Sequence, residues 1–243
     1  MFRSAFMYVF LTLYILIVGP PLLVYTAITR DVDPLYWVAV RGVMFFVNCV
    51  GVRVHVKGLE RIPAATCIFA ANHTSSADAP AVVGAIPRRI AILLKRSLFK
   101  YPIVGQAFHL AHFIPVDRYD RDSAIHSLEK ATEALRHGQS FLIYPEGSRS
   151  PDGRLQELKK GTSVMAIKAG VEIVPVACSN AHRVMPKRSL RIIPGDILVE
   201  FLAPIPATEY TVEQRDALTQ KLHDTLAAGL PPDQRPVGFP GAE

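Results

Sequence analysis

The chain has 243 residues, half of them hydrophobic, and a formal net charge of +6. That length suits one domain with an appendage, or two small domains, and the basic balance asks for an anionic partner: nucleic acid, a phospholipid headgroup, or a phosphorylated or CoA-like substrate. Three cysteines, at 49, 67 and 178, stand too far apart for a disulfide framework or a zinc site. They fit a reducing, cytosol-facing compartment.

Residues 5–29 read AFMYVFLTLYILIVGPPLLVYTAIT, without a charge. A bilayer-spanning helix needs about 20 apolar residues, but Pro20 and Pro21 interrupt this run, and proline removes a helix hydrogen bond and kinks the chain. The part before the pair would rise only about 21 Å as a helix, short of the ~30 Å hydrocarbon core. A second apolar run, LYWVAVRGVMFFVNCVGV, carries Arg41 in its middle. An arginine at a bilayer centre costs about 2.5–3.5 kcal/mol, so this run suits an interfacial helix with Arg41 snorkelling to headgroups. No small-x-small cleavage site follows, which argues against a signal peptide. Between a single span and a bent hairpin, we read residues 1–51 as a membrane-embedded two-helix hairpin. The flanking charges, Arg3 against Arg30, Asp31 and Asp33, do not set its orientation.

From Arg53 the pattern changes. RVHVKG alternates, TCIFAAN is a short buried run, and RRIAILL, AHFIPV, SFLIYP, VEIVPVA and LRIIPGDILVEF supply further strand candidates. Pro175, inside VEIVPVA, points to an edge strand or a bend. Helical patterns lie between them. Residues 122–137 place Ile125, Leu128, Ala131 and Leu135 on one face, and Gly138 stands as a stop. Residues 162–169 stop at Gly170. A last helix starts at Thr211, with Gln214 as capping-box partner and Leu218, Leu222 and Leu226 as its stripe. Strands alternating with helices predict an α/β fold: a mixed, mostly parallel sheet layered with helices over residues 52–229, preceded by the hairpin. The Pro/Gly-rich residues 230–243 read as a disordered tail.

The chemistry concentrates where strands end. In FAANHTSSADAP, His73 is a candidate base near neutrality. Asp78 would fix its tautomer and stabilise the imidazolium. The spacing works if Ser75 or Ser76 caps a helix holding Asp78 in its first turn; it also fits a loop histidine beside a capping acid. In IYPEGSRSPDG, Gly147 permits a backbone closed to other residues, Arg149 offers a planar fork for phosphate, and Glu146 could bind substrate hydroxyls or position a cation. A turn with a surface ion pair fits the same letters. Arg118 and the pair Lys95-Arg96 follow strand ends, where α/β folds gather binding groups, and each also fits a solvated charge. His109 and His112 lack a partner ligand, so no metal site is read. Dinucleotide, P-loop, RNP-like and zinc-finger patterns are absent, which removes nucleic acid from the partners. So is a G-x-S-x-G elbow, which argues against a lipid hydrolase.

Asn72-His73 with Asp78, then Phe113-Ile114 to Arg118, then Pro145-Glu146-Gly147-Ser148-Arg149, then Val174-Pro175 occur in that order. This set resembles the four blocks of the glycerolipid acyltransferase family, typified by 1-acylglycerol-3-phosphate acyltransferase, over about residues 52–206. The chain departs from the family pattern in having Ala111-His112, with no glycine, before Phe113, and in the longer gap to Arg118. The resemblance implies transfer of an acyl group from acyl-CoA or acyl-carrier protein to a lipid hydroxyl, by default that of 1-acylglycerol 3-phosphate. By it His73 is the general base and Asp78 its orienter. Arg118, Glu146, Gly147 and Arg149 fall at acceptor-binding positions, and Lys95 where similar proteins carry a basic residue for phosphate. It implies no cofactor beyond the acyl donor, membrane phospholipids and a lysophospholipid acceptor as partners, and a catalytic domain on the cytoplasmic face of a membrane. Another lysolipid or glycerol 3-phosphate as acceptor, or a non-catalytic protein binding anionic lipid, are the other readings.

Overall fold

A computed structural model describes residues 2–117 and 120–241. Two helices, α1 (Phe2–Thr29) and α2 (Asp33–Cys49), form a hairpin ahead of the sheet. Then follow β1 (Val52–Lys57), β2 (Cys67–Ala71), α3 (Asp78–Ala85), β3 (Ala91–Lys95), α4 (Val104–Leu110), β4 (Ile114–Val116) and α5 (Arg121–Arg136). The chain continues through β5 (Phe141–Ile143), α6 (Gly161–Ala169), β6 (Glu172–Ser179), α7 (Ala181–Val184), β7 (Gly195–Phe201), β8 (Ile205–Pro206) and α8 (Arg215–Gly229). The sheet order is β1-β7-β6-β2-β5-β3-β4, with β8 on β6. Strands β2 to β6 run parallel, and β7 joins β6 antiparallel with β1 parallel to it. The sheet is thus mixed and mostly parallel, and the carboxyl ends of β2, β3, β4, β5 and β6 share one edge.

Pro175 lies inside β6, which is central, not an edge strand. One flank of β6 pairs with β8 at Glu172 and Ile173 and with β7 from Val176 onward. Pro175 falls at the junction between those two ladders, where a missing N–H costs least.

The helix signals resolve as the sequence implies. Gly138 and Gly170 take left-handed φ of 91° and 68° behind α5 and α6. Thr211 and Gln214 make a reciprocal capping box, after which Leu218, Leu222 and Leu226 are fully buried. They pack with Ile68, Phe141 and Met165 on one side of the sheet. Phe69, Val176 and Phe201 line the other side, beneath α2 and α3. Each such side chain contributes about 1.5–3 kcal/mol by leaving water.

The hairpin differs from expectation at Pro20-Pro21, which do not break α1. The bonds lost are those to the carbonyls of Leu16 and Ile17, on a stretch that is exposed. Packing ahead of the pair anchors the helix, which continues through it to Thr29. Tyr14 donates its hydroxyl to the Val38 carbonyl of α2 at 2.9 Å. Gly19 lies against the Ile103 side chain so closely that a Cβ there would clash. At the start of the helix Ser4 Oγ accepts the Ile192 N–H at 2.8 Å. Helix α1 would therefore be about 42 Å long and is long and apolar enough to cross a membrane, yet it touches the α/β domain near its first turn and again at Gly19, lying along the domain. Helix α2 buries Leu35, Tyr36, Phe46 and Val47, with Arg41 exposed.

The tail also differs. Gln234 is fully buried. Its carbonyl accepts the Leu155 N–H at 2.9 Å, and its side-chain oxygen accepts the Asn180 N–H at 3.2 Å. Residues expected to be disordered thus strap the loop after β5 to the end of β6.

Candidate active site

The site is built on the shared carboxyl edge of the sheet. Strand β2 ends at Ala71, and Asn72 then clamps the chain to β6: its side chain donates to the Cys178 carbonyl at 3.0 Å and accepts the Cys178 N–H at 2.7 Å. His73 follows, with its side chain 12% exposed. Its Nδ1 lies 2.9 Å from Asp78 Oδ2. That same oxygen accepts the N–H groups of Thr74 at 2.7 Å and Ser75 at 2.8 Å. An oxygen receiving two amide hydrogens is an acceptor, so Nδ1 carries the hydrogen and donates it, leaving the lone pair on Nε2. Asp78 is fully buried; its other oxygen faces Thr74 Oγ1 at 3.4 Å and Cys178 Sγ at 3.7 Å. Burial, with the Asp78 charge close by, raises the Cys178 thiol well above its ordinary range. It stays protonated and is no nucleophile.

Asp78 opens α3, in the first turn as the spacing predicts, but neither serine is the cap. Ala77 holds that position. Ser75 Oγ instead accepts the Ala77 N–H at 3.1 Å and donates to the Met185 carbonyl at 2.8 Å. Asp78 itself organises the loop by gathering its amides.

Strand β5 supplies the other wall. The Tyr144 ring stacks on the His73 imidazole with centroids 4.1 Å apart and planes 26° off parallel. Its hydroxyl is buried without a hydrogen-bond partner among the described residues. Burial first, then the nearby Asp78 charge, holds that phenol well above its usual range, so it is neutral. Two residues on, Glu146 is 5% exposed. Its Oε1 accepts the His73 N–H at 2.6 Å and its Oε2 the Gln156 N–H at 3.3 Å. Desolvation raises this carboxyl to about 8 against the pull of those two amides. Both oxygens accept from backbone, so the geometry has Glu146 fix the histidine loop, and each oxygen keeps a second lone pair with which a substrate hydroxyl could bond. Gly147 has φ 75°, and a Cβ there would press on the Lys159 side chain at 2.8 Å; the turn needs glycine.

Arg149 donates to Ser76 Oγ, beside a cavity of about 810 Å³ between α1, α2 and residues 184–192. Lys95 ends β3 on the same edge and is exposed. Arg118 lies outside the described residues. Among the described residues no cluster of three His, Cys, Asp or Glu side chains could hold a metal ion. Sequence reading missed Tyr144, the Asn72 clamp, Cys178 and Lys159. Only Tyr144 left a local signal, an aromatic at the mouth of the Pro145-Glu146-Gly147 turn; the others are long-range meetings. A second, wholly apolar cavity of about 380 Å³ runs between α2, α3, β3 and α4, past Tyr36, Val83 and Phe108.

An α/β sheet that gathers a buried carboxylate, an imidazole with one free nitrogen and an apolar cavity at its carboxyl edge has the form of an enzyme with a site for an apolar substrate. Comparison with known proteins gives the particular kind. The family model Acyltransferase matches residues 53–179. The chain is 32% identical over 205 residues to a 1-acyl-sn-glycerol-3-phosphate acyltransferase of Limnanthes douglasii, covering 84% of this chain and 72% of that protein. It is 34% identical to the enzyme of that name from Pseudomonas aeruginosa, over 61% of this chain and 58% of that one. The crystal structure of the 1-acyl-sn-glycerophosphate (LPA) acyltransferase PlsC from Thermotoga maritima superposes with a TM-score of 0.80 at 26% identity, covering 94% of this chain and 93% of that one. The chain belongs to the acyltransferase family.

Proposed function

We infer that the protein moves a fatty acyl group from acyl-CoA or acyl-carrier protein to the free hydroxyl of 1-acylglycerol 3-phosphate, forming phosphatidic acid. The observation that carries this reading is His73 Nδ1 held at 2.9 Å by the fully buried Asp78, in a chain that shares family and fold with enzymes of that name. The acceptor hydroxyl gives its proton to His73 Nε2 as its oxygen attacks the thioester carbonyl. The tetrahedral intermediate collapses, the thiolate leaves, and the imidazolium returns the proton to it. No covalent enzyme intermediate is needed. Holding donor and acceptor together supplies most of the rate, because a bimolecular encounter becomes an oriented one. Arg149, Lys95 and Arg118 are the cations assigned to the acceptor phosphate. The donor is the only co-reactant, and no resident cofactor is required.

A membrane location accords with α1, whose Phe2, Phe10, Ile17 and Ile28 are exposed. The lie of α1 along the domain supports a hairpin sunk into the interface beside the catalytic edge, and the free cysteines support a domain on the cytoplasmic face.

The test is His73→Ala and Asp78→Asn in membranes, offered lysophosphatidate, other lysolipids and glycerol 3-phosphate with each donor, and read by lipid mass spectrometry. Transfer to lysophosphatidate is expected to be lost in His73→Ala. Undiminished transfer overturns the mechanism, and preference for another acceptor overturns the substrate.

A further inference from the structure

We propose that residues 186–194, PKRSLRIIP, form a second membrane-docking element that enters an anionic lipid surface beside the first turn of α1. This deepens the reading of a lipid-facing enzyme and names a recognition surface within it.

Ile192 is 5% exposed, and with Met185 it walls the 810 Å³ cavity. Leu190, 77% exposed, stands with Arg188 at the rim of that cavity, and Ile193, 37% exposed, lies outside it. A single bare leucine is ordinary, but these two sit among Lys187, Arg188 and Arg191, with no acid between Met185 and Gly195. Arg188 and Arg191 make no ion pair among the described residues. Apolar tips ringed by free cations suit a surface with acyl chains below and phosphates above.

Continuity fixes the occupant. The Ile192 N–H is bonded to Ser4 Oγ of α1, and Arg3 reaches Gly51 beside Pro194. Phe2 of the same turn is 84% exposed. The loop therefore extends the bare apolar face of α1 sideways, and whatever covers one covers both. An acidic carrier protein would match the charges but not a leucine and an isoleucine continuous with an apolar helix. The loop also reports to the chemistry. Ser75 is bonded to the Met185 carbonyl, and Lys187 Nζ donates to the Arg149 carbonyl at 2.6 Å. Docking it sets the rim of the cavity, where Ser76 and Arg149 stand, at headgroup level.

The experiment uses the full chain with Cys49→Ser and Leu190→Cys, labelled with an environment-sensitive dye; Cys67 and Cys178 are buried and stay unlabelled. Vesicles are phosphatidylcholine alone, or with about one third phosphatidylglycerol. On anionic vesicles the label is expected to shift to the blue and to be quenched by shallow doxyl lipids, while a label at Lys221→Cys on α8 stays aqueous. Adding Arg188→Ser and Arg191→Ser is expected to lower the anionic-over-neutral partition ratio about 25-fold, since each basic residue near such a surface is worth roughly fivefold. A label at 190 that reports water on both vesicles, while the chain still co-floats through α1, overturns the proposal. Selective loss of transfer from the carrier-protein donor in that case assigns the patch to an acidic protein instead. The readout is position, not turnover, so its failure is separate from failure of the acyltransferase reading.

Discussion

Glu146 reaches from the loop after β5 to the backbone of His73, its Oε1 taking the histidine N–H at 2.6 Å. Two adjacent strand ends are tied together by one buried carboxyl, and the base stands on that tie. Its folded pKa, about 8, is raised from 4.5 by desolvation. Over that window the folded state holds the proton more tightly than the unfolded chain. Stability is therefore full below about 4.5 and falls as pH rises through 8. Glu146→Gln keeps an oxygen for the His73 amide and cannot ionise. Its melting temperature is expected to be flat between pH 5 and 8.5, while that of the wild type declines; parallel curves for the two would remove Glu146 from the linkage.

Tyr144 supports the same imidazole from its face. The hydroxyl has no partner among the described residues, so the ring carries the contact. Tyr144→Phe is expected to keep activity within about twofold, because a buried unsatisfied group is lost at no cost. Tyr144→Leu keeps apolar volume but removes the stacking plane that orients Nε2. A misplacement of about 1 Å can cost 10²-fold, so kcat is expected to fall by 10- to 100-fold with KM little changed and the acid limb of the pH profile displaced. Equal loss in the two variants, or a change confined to KM, would show that the stack does not position the base.

Asp78 accepts from the imidazole and from two amides on one oxygen. Asparagine there keeps an acceptor for the amides and so spares the loop, but it brings no charge to stabilise the imidazolium. Asp78→Asn is expected to fold, by circular dichroism and melting, and to lose about 10²- to 10⁴-fold in kcat. Wild-type turnover in a folded Asp78→Asn variant would make the carboxylate a cap and nothing more.

What the sequence made legible follows from range. Gly138, Gly170 and the Thr211–Gln214 box act within one turn, so their letters announce them. His73 and Asp78 lie five apart, and the ordered blocks link them with the turn at 145–149 in the letters alone. Asn72 with Cys178 and Tyr144 with His73 meet only when β2 takes its place between β6 and β5, a fact of topology that no local pattern carries. Pro20-Pro21 misled because a proline rule knows the missing hydrogen bonds but not the contacts of Tyr14 and Gly19 that outweigh them.

Composition misled again in the tail, where proline and glycine mark a strap that is ordered without being regular. Gln234 joins Leu155 to Asn180. On either side Arg183 pairs with Asp233 at 2.6 Å and Arg154 donates to the Arg235 carbonyl at 3.0 Å. The exposed ion pair adds little. The buried glutamine side chain matters more, since removing it leaves the Asn180 N–H without its acceptor at about 1–3 kcal/mol. Gln234→Ala is expected to lower stability by about 1–3 kcal/mol in denaturant melts, and deletion of 231–243 by more. Because Leu155 belongs to the loop that carries Glu146 and Arg149, the deletion is also expected to weaken acceptor binding. A truncated chain that melts and turns over like the full one would return those residues to the disordered tail their composition suggests.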